Sequence, residues 1–463
     1  MARLVIVSNR VAGPRERTVR AGGVAVALRE ALRRQGGIWF GWSGDVVEAA
    51  ASTPHLHESG AVTTATLDLD ARDHDDFYLG YANATLWPLF HYRLGLMDFR
   101  REAFAGYLRV NERFAAALVP LLRPDDVVWI HDYHFIPLAA ALRARGVANR
   151  IGFFLHIPFP APEVLATLPD HEVLIEALRA YDLIGLQTTG DAEALAAAMA
   201  GTQAAVGPAW TTSPTIASFP IGIDVDGFAE LAEQAVQSRE SRQLAASLAG
   251  RALVIGVDRL DYSKGLPLRF DAFEALLAGH PGHRRRVTYL QIAPISRGGV
   301  PEYRKLRREL DQRAGRINGR YSDVDWTPIR YLNRVSSRAA LAGYYRLSRV
   351  GFVTPIRDGM NLVAKEFIAA QDPADPGVLV LSRFAGAAAE LEDALIVNPM
   401  DVERVAAALD RALTMPLAER QERWRRLVAA MRRNDEAAWR NGFLAALDAA
   451  PRAPGGVQSS SAA

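Results

Sequence analysis

The run Leu253-Val254-Ile255-Gly256-Val257 passes directly into Asp258-Arg259-Leu260-Asp261-Tyr262-Ser263-Lys264-Gly265. A short apolar run rich in β-branched residues predicts a buried strand. The polar residues that follow then project from its carboxyl end, which is where open α/β sheets bind their ligands. Lysine is rare in this chain: of 54 Lys and Arg residues, only Lys264, Lys305 and Lys365 are lysines. Arginine is a flat fork suited to bidentate contacts, whereas lysine is a compact point charge on a flexible stem. A position that keeps lysine against such a background points to a need for the compact charge. Arg259 and Lys264 together read as a pair of cations gripping a diphosphate.

Outward from this stretch, short apolar runs recur at residues 4–7, 127–130, 151–155, 183–186, 287–292, 350–353, 378–381 and 395–397. Between them lie Ala/Leu/Arg segments with helical spacing, such as 23–35 and 402–413. Near-continuous apolar strands alternating with helices predict α/β architecture, with parallel sheets covered on both faces. The strands are too many for one small sheet, and they group on either side of a stretch at about 200–218 that lacks clear periodicity. Phe219-Pro220-Ile221-Gly222-Ile223-Asp224 then reads as a connection. Two Rossmann-like domains facing a central cleft are expected, over 1–220 and 221–435. A C-terminal helix at 436–450 is expected to cross back to the first domain, and the Ser/Gly/Ala tail at 451–463 to be disordered.

Composition sets the outer limits. A chain of 463 residues with a hydrophobic fraction of 49% and a charged fraction of 23% has ample core for two or three domains. The net charge of +2 gives no case for a nucleic-acid partner, and Arg284-Arg285-Arg286 reads as a solvated helix end or loop. With no cysteine there is neither a disulfide framework nor thiolate chemistry. No apolar run approaches the length of a membrane span, and the start Met1-Ala2-Arg3-Leu4-Val5-Ile6-Val7 turns polar too soon for a signal peptide. A soluble, cytoplasmic protein is expected.

Several local constellations carry chemistry. Ser8-Asn9-Arg10 ends the opening strand, and Ala21-Gly22-Gly23 leads into a helix whose first amides can approach a phosphate, although paired glycines also suit a plain loop. His131-Asp132-Tyr133-His134 follows one strand, and His156-Ile157-Pro158-Phe159-Pro160 ends the next. Each histidine has an ordinary alternative as a satisfied core residue. In Thr354-Pro355-Ile356-Arg357-Asp358-Gly359-Met360-Asn361-Leu362-Val363-Ala364-Lys365-Glu366-Phe367 a strand turns tightly into a helix. Amides at its start can donate to sugar hydroxyls and phosphate oxygens. Glu366, one turn after Leu362, is placed to accept from ribose hydroxyls, while a solvated helix face explains Lys365 equally well. Trp39, Trp42, Tyr78, Tyr81 and Trp87 suit either core or sugar stacking, with Tyr78 and Trp87 in the more polar surroundings.

Metal and nucleophile readings fare worse. Asp68-Leu69-Asp70, Asp73-His74-Asp75, Asp224-Val225-Asp226 and Asp323-Val324-Asp325 match the Asp-x-Asp pattern of metal-dependent sugar transferases. None is expected squarely at a strand end facing the cleft, and the four read as chance. The ten histidines show no His-x-x-x-His spacing, and there is neither a Gly-x-Ser-x-Gly elbow nor a Walker loop. No metal and no cofactor are expected.

Taken in order, Ser8 to Arg10, Ala21 to Gly23, Trp39-Phe40-Gly41-Trp42-Ser43-Gly44, Leu86-Trp87-Pro88-Leu89-Phe90-His91-Tyr92, His131 to His134, His156 to Pro160, Arg259 to Gly265, Ser296-Arg297-Gly298, Arg357 to Phe367 and Ser382-Arg383-Phe384-Ala385-Gly386-Ala387-Ala388 resemble the trehalose-6-phosphate synthases. These are retaining glycosyltransferases of GT-B architecture, and the likeness runs from Arg3 to about residue 450. It implies transfer of glucose from a nucleotide sugar, typically UDP-glucose, to glucose 6-phosphate. The first domain would then serve the acceptor and the second the nucleotide sugar. By resemblance, Arg259 and Lys264 hold the donor diphosphate, the Gly22-Gly23 backbone closes over it, and Leu362 and Val363 amides extend the cradle. Glu366 binds ribose, and Ser336 lies where the family often carries an aromatic near the base. Asp132, His156 and the turn Asp358-Gly359-Met360 contact the transferred glucose, and Asn361 belongs to the donor site. Arg10 and Arg297 clamp the acceptor phosphate, with Tyr78 and Trp87 beside its sugar and Trp42 in the same pocket. Asp132, His156, Arg259, Lys264 and Asp358 are thus the expected catalytic groups.

The resemblance leaves two other readings open. A sister transferase, such as glucosylglycerol-phosphate synthase, shares the donor machinery. A non-catalytic, sugar-phosphate-sensing homologue would have lost some of Asp132, His156, Arg259, Lys264 or Glu366, and all five are present. The substrates are the expected partners, with UDP-, ADP- or GDP-glucose as donor. A homo-oligomer is expected, without nucleic acid or membrane. Ser336 leaves the choice of base open, and the Ala-rich stretch 189–215 receives no function.

Overall fold

The computed structural model describes residues 2–11, 23–202, 213–295 and 301–452. Gly22, Arg297 and the 453–463 part of the tail lie outside the described residues. The chain divides into two compact units, one of Met1–Phe219 with Arg440–Ala463 and one of Pro220–Trp439.

The first unit carries eight strands: β1 (Leu4–Arg10), β2 (Gly37–Val47), β3 (His55–Ser59), β4 (Val62–Asp70), β5 (Val127–His131), β6 (Arg150–Phe154), β7 (Leu183–Leu186) and β8 (Thr215–Ser218). They lie in the order β3-β4-β2-β1-β5-β6-β7-β8, and every neighbouring pair is parallel except β3–β4. β1 is central because Leu4 to Val7 is apolar on both faces and wholly buried, with Val5 level with Ile38 on one side and Val128 on the other. The chain builds outward from β1 on one side and then resumes at β5 on the other. The boundary between β1 and β5 is therefore the topological switch point.

The second unit holds β9 (Ala252–Val257), β10 (Val287–Ile292), β11 (Ile329–Leu332), β12 (Val350–Val353), β13 (Val378–Ser382) and β14 (Leu395–Val397). The order is β11-β10-β9-β12-β13-β14, all parallel, so the switch point falls between β9 and β12. The opening motif leaves β9, and Thr354 to Phe367 leaves β12.

The C-terminal helix Glu436–Ala449 begins in the second unit and ends in the first. There Phe443 stacks on Trp129 at 4.6 Å and meets Phe154 and Phe219 edge-on. Gly152 and Gly185 make a flat patch for its ring: a Cβ on either would come within 2.9 Å of it. Arg150 fastens the end of the helix through the carbonyls of Leu447 and Ala450.

The nine apolar runs are all strands. Five further strands did not show as apolar runs. β4 reads Val-Thr-Thr-Ala-Thr-Leu-Asp-Leu-Asp and alternates, β3 is exposed throughout, and β2 is broken by glycines. β8 and β11 are four residues each, and β8 gives structure to part of the stretch that lacked periodicity. Among the Asp-x-Asp pairs, Asp68 and Asp70 lie at the end of β4. Both have local work: Asp68 accepts from Ser43 and pairs with His55, and Asp70 caps the turn at Asp73. No described helix is long and apolar enough to cross a membrane.

Candidate functional site

At the first sheet's switch point, Arg10 and Trp42 are register partners on β1 and β2. Gly44 is at φ +94°, and a Cβ there would come within 2.7 Å of the Arg10 guanidinium. The left-handed backbone is what favours glycine at this position. Trp42 packs on Tyr78 at 5.2 Å, and Tyr78 stacks on His134 at 6.0 Å. The aromatics thus run from Arg10 towards the turn after β5.

Tyr78 belongs to a π-helical stretch, His74–Leu86. Such geometry is rare and tends to occur at functional positions. Asn83 ties it down: its amide donates to the Tyr78 carbonyl at 2.7 Å and accepts from the Tyr133 hydroxyl at 3.0 Å. Sequence reasoning passed over Asn83, a buried amide among aromatics. Trp87 is only 4% exposed and packs, tilted, against His91 at 4.1 Å and Tyr133 at 5.7 Å.

Asp132 sits at φ 74°, ψ 166°, a conformation that costs a non-glycine residue about 1–3 kcal/mol. Its amide donates to the Phe154 carbonyl at 2.8 Å, and its carboxylate accepts from the His156 amide at 3.3 Å. Nδ1 of His131 lies 3.0 Å from Nε2 of His156. Burial pushes the His156 imidazole down to about 3 and holds His131 well below its ordinary value. Both rings are neutral near pH 7, since desolvation disfavours the charged form. An uncharged imidazole such as His156 can donate from one ring nitrogen and accept at the other.

The second sheet's switch point is ionic. Lys264 Nζ lies 2.5 Å from the Asp358 carboxylate, which also accepts from the Gly359 amide at 3.0 Å and the Asn361 side chain at 2.9 Å. Asn361, at φ 72°, also caps the helix Leu362–Ala369 through Ala364 N. Leu362 and Val363 open that helix, where amides lack an intrahelical acceptor. The Met360 carbonyl accepts from Ala387, which fixes the turn against the Ser382-to-Ala388 motif. Arg259 is exposed at the start of the β9 loop, and Gly23 is the first residue of the helix Gly23–Gln35.

Glu366 is raised to about 7 by burial, with Arg338 opposing the shift. Arg338 begins the helix Arg338–Leu347, capped by Ser337, and half-buried Ser336 immediately precedes that cap. Lys365 does not face solvent. It is wholly buried, 2.5 Å from Glu390 and 2.9 Å from the Ile221 carbonyl, so the solvated-face reading of Lys365 is corrected. Buried Arg269 was also missed. It donates to Asp258 at 2.6 Å, to Gln291 and Thr354 at 3.2 Å, and to the Lys264 carbonyl at 3.0 Å, and so holds the loop that presents Lys264. An arginine within the apolar helix Leu266–Gly279 was the available signal.

Among the described residues, no group of three or more His, Asp or Glu is arranged to hold a metal ion. Each of the two largely parallel sheets gathers polar side chains beyond its switch point, as GT-B proteins do. Residues 4–449 match Glycosyltransferase family 20, and the chain belongs to that family. It is 50% identical over 450 residues to a trehalose-6-phosphate synthase of Klebsiella pneumoniae, which covers 96% of this chain and 94% of the relative. A crystal structure of a UDP-forming α,α-trehalose-phosphate synthase from Burkholderia xenovorans in complex with glucose-6-phosphate superposes with a TM-score of 0.92. It is 51% identical, over 96% of this chain and 100% of that one. An E. coli structure described as trehalose-6-phosphate bound with UDP-2-fluoro glucose gives a TM-score of 0.91 at 48% identity, over 97% of this chain and 100% of that one.

Proposed function

We propose that this enzyme transfers glucose, with retention, from UDP-glucose to the anomeric hydroxyl of glucose 6-phosphate, releasing UDP and α,α-trehalose 6-phosphate. The observation that carries the reading is the convergence of Lys264, the Asp358–Asn361 turn and the start of the helix Leu362–Ala369 at one switch point. Breaking the donor's anomeric C–O bond leaves negative charge on the diphosphate. A lysine, Arg259 and helix-start amides are the groups that stabilise such charge. Bound diphosphate would compete with Asp358 for the Lys264 ammonium, which frees the carboxylate to accept from a glucose hydroxyl.

The acceptor oxygen bonds to the anomeric carbon on the face the diphosphate leaves, and its proton passes to a leaving phosphate oxygen. No enzymic nucleophile is needed. Neutral His156 and Asp132 position the transferred sugar, and Arg10 takes the acceptor phosphate beside Tyr78. We further read the enzyme as metal-independent, cytoplasmic and homo-oligomeric. Incubation with glucose 6-phosphate and UDP-, ADP- or GDP-glucose, followed by product identification, tests the proposal. UDP and trehalose 6-phosphate are expected, in the presence of EDTA as in its absence. No transfer from any donor overturns the proposal, and abolition by EDTA overturns metal independence.

A further inference from the structure

His131 closes β5, and His156 follows β6 by two residues, so adjacent parallel strands deliver the two rings side by side. The rings are nearly parallel, 21° apart, with centroids 5.2 Å from each other. Trp129 packs against His131 at 4.6 Å and Phe154 against His156 at 4.7 Å, which limits rotation of both. At 3.0 Å the facing nitrogens, Nδ1 of His131 and Nε2 of His156, share one proton as donor and acceptor. The other nitrogen of His156, Nδ1, lies at the long distance of 3.5 Å from the Gln187 side-chain nitrogen. A neutral imidazole has one protonated nitrogen, and which one is set by the hydrogen bond that its partner accepts or donates. With Gln187 donating to Nδ1, the His156 proton sits on Nε2 and points at His131. That leaves His156 Nδ1 as the ring's acceptor, with the Gln187 side chain at 3.5 Å.

We propose that His131 is a positioning residue for glucosyl transfer: it fixes His156 as the Nε2–H tautomer and so offers Nδ1 as the acceptor for a hydroxyl of the transferred glucose. This rests on the function proposed above, because His156 meets the sugar only in that reading. The arrangement resembles the way a second hydrogen bond orients the working nitrogen of a catalytic or ligating histidine. His131 itself touches no substrate in this scheme.

The test uses the full-length enzyme. In wild type without substrate, nitrogen-15 resonances of the labelled histidines should give His156 the Nε2–H signature. His131→Phe keeps a flat ring but removes the nitrogen facing His156. His131→Asn places an amide oxygen where Nδ1 stands, and so preserves the acceptor. His131→Phe should lower kcat by about 10–100-fold, as loss of such outer partners does elsewhere. KM for glucose 6-phosphate should change less than about twofold, and the His156 signature should be lost. His131→Asn should recover most of kcat and restore the signature. An Nδ1–H signature in wild type, or a His131→Phe enzyme with unchanged kcat, overturns the proposal. So does a His131→Asn enzyme no better than His131→Phe. Absence of any transfer by wild type would instead sink the functional reading, while the resonance measurement would still report on the pair itself.

Discussion

The carboxyl edges of the two sheets solve different problems with different chemistry. The first edge is chiefly aromatic: Tyr78 lies against both Trp42 and His134 and two uncharged imidazoles stand 3.0 Å apart, with Arg10 and the strained Asp132 as its charged groups. The second is ionic: a lysine on a carboxylate at 2.5 Å, with an asparagine and an amide completing that carboxylate's partners. A sugar ring is uncharged and is recognised by shape and hydroxyl direction. A leaving diphosphate is highly charged and needs cations. The contrast teaches that the two edges should fail differently when altered.

The largest effect is expected at the ionic edge. Lys264→Ala should lower kcat by about 10²–10³-fold, the range seen on removing one donor to developing negative charge. Steady-state kinetics with UDP-glucose would measure it, and a near-normal kcat would remove the distinction between the edges. At the aromatic edge, Asp132→Gly should separate stability from activity. Glycine relieves the φ 74° conformation, so the melting temperature should hold or rise by the equivalent of about 1 kcal/mol, offset in part by the looser unfolded chain. Activity should nevertheless fall by about tenfold or more, since a group that orients the sugar is lost. A fall in both would mean that Asp132 serves the fold and not the substrate.

The smallest effect concerns Glu366, whose folded value is about 7 against an ordinary 4.5. Because the folded protein keeps this proton longer than the unfolded chain, its stabilising contribution is complete below about 4.5 and is lost as pH rises to about 7. Glu366→Gln should flatten that limb of the stability–pH curve. Ribose hydroxyls donating to the carboxylate favour its ionised form, so UDP binding near pH 7 should release about half a proton, measurable by calorimetry in buffers of different ionisation enthalpy. Proton uptake would place Glu366 away from the ribose.

The legible parts of this molecule were those where burial is two-sided. β1, β5, β9 and β12 are continuous apolar runs because both faces are covered, and motifs at their ends could be placed at once. β4 has one drier face and alternates Thr with Ala and Leu, so a search for unbroken apolar runs passes it by. Among site residues, Lys264, Asp358 and Asn361 were named from sequence, and the fold brings them into one hydrogen-bonded cluster. Their roles towards substrate are proposals. Lys365 shows the limit of composition: scarcity marked it beside Lys264, but its partner is Glu390, 25 residues on, and no local spacing encodes that ion pair. Arg269 was hidden for a related reason. Its four partners come from Asp258, Lys264, Gln291 and Thr354, which only the fold assembles.

The seat of Phe443 on Trp129, Gly152 and Gly185 has a consequence for how this protein is made. Chains emerge from the ribosome amino end first, and domains commonly fold in that order. Here the first unit lacks its last piece until Arg440 onward is synthesised. At about 5–20 residues per second, the roughly 220 residues after Phe219 impose a delay on the order of 10–40 s. Throughout that interval the flat patch over β5, β6 and β7 has no Phe443 to cover it. The nascent first unit therefore waits with a sticky face, and the second unit has time to fold before the first is closed.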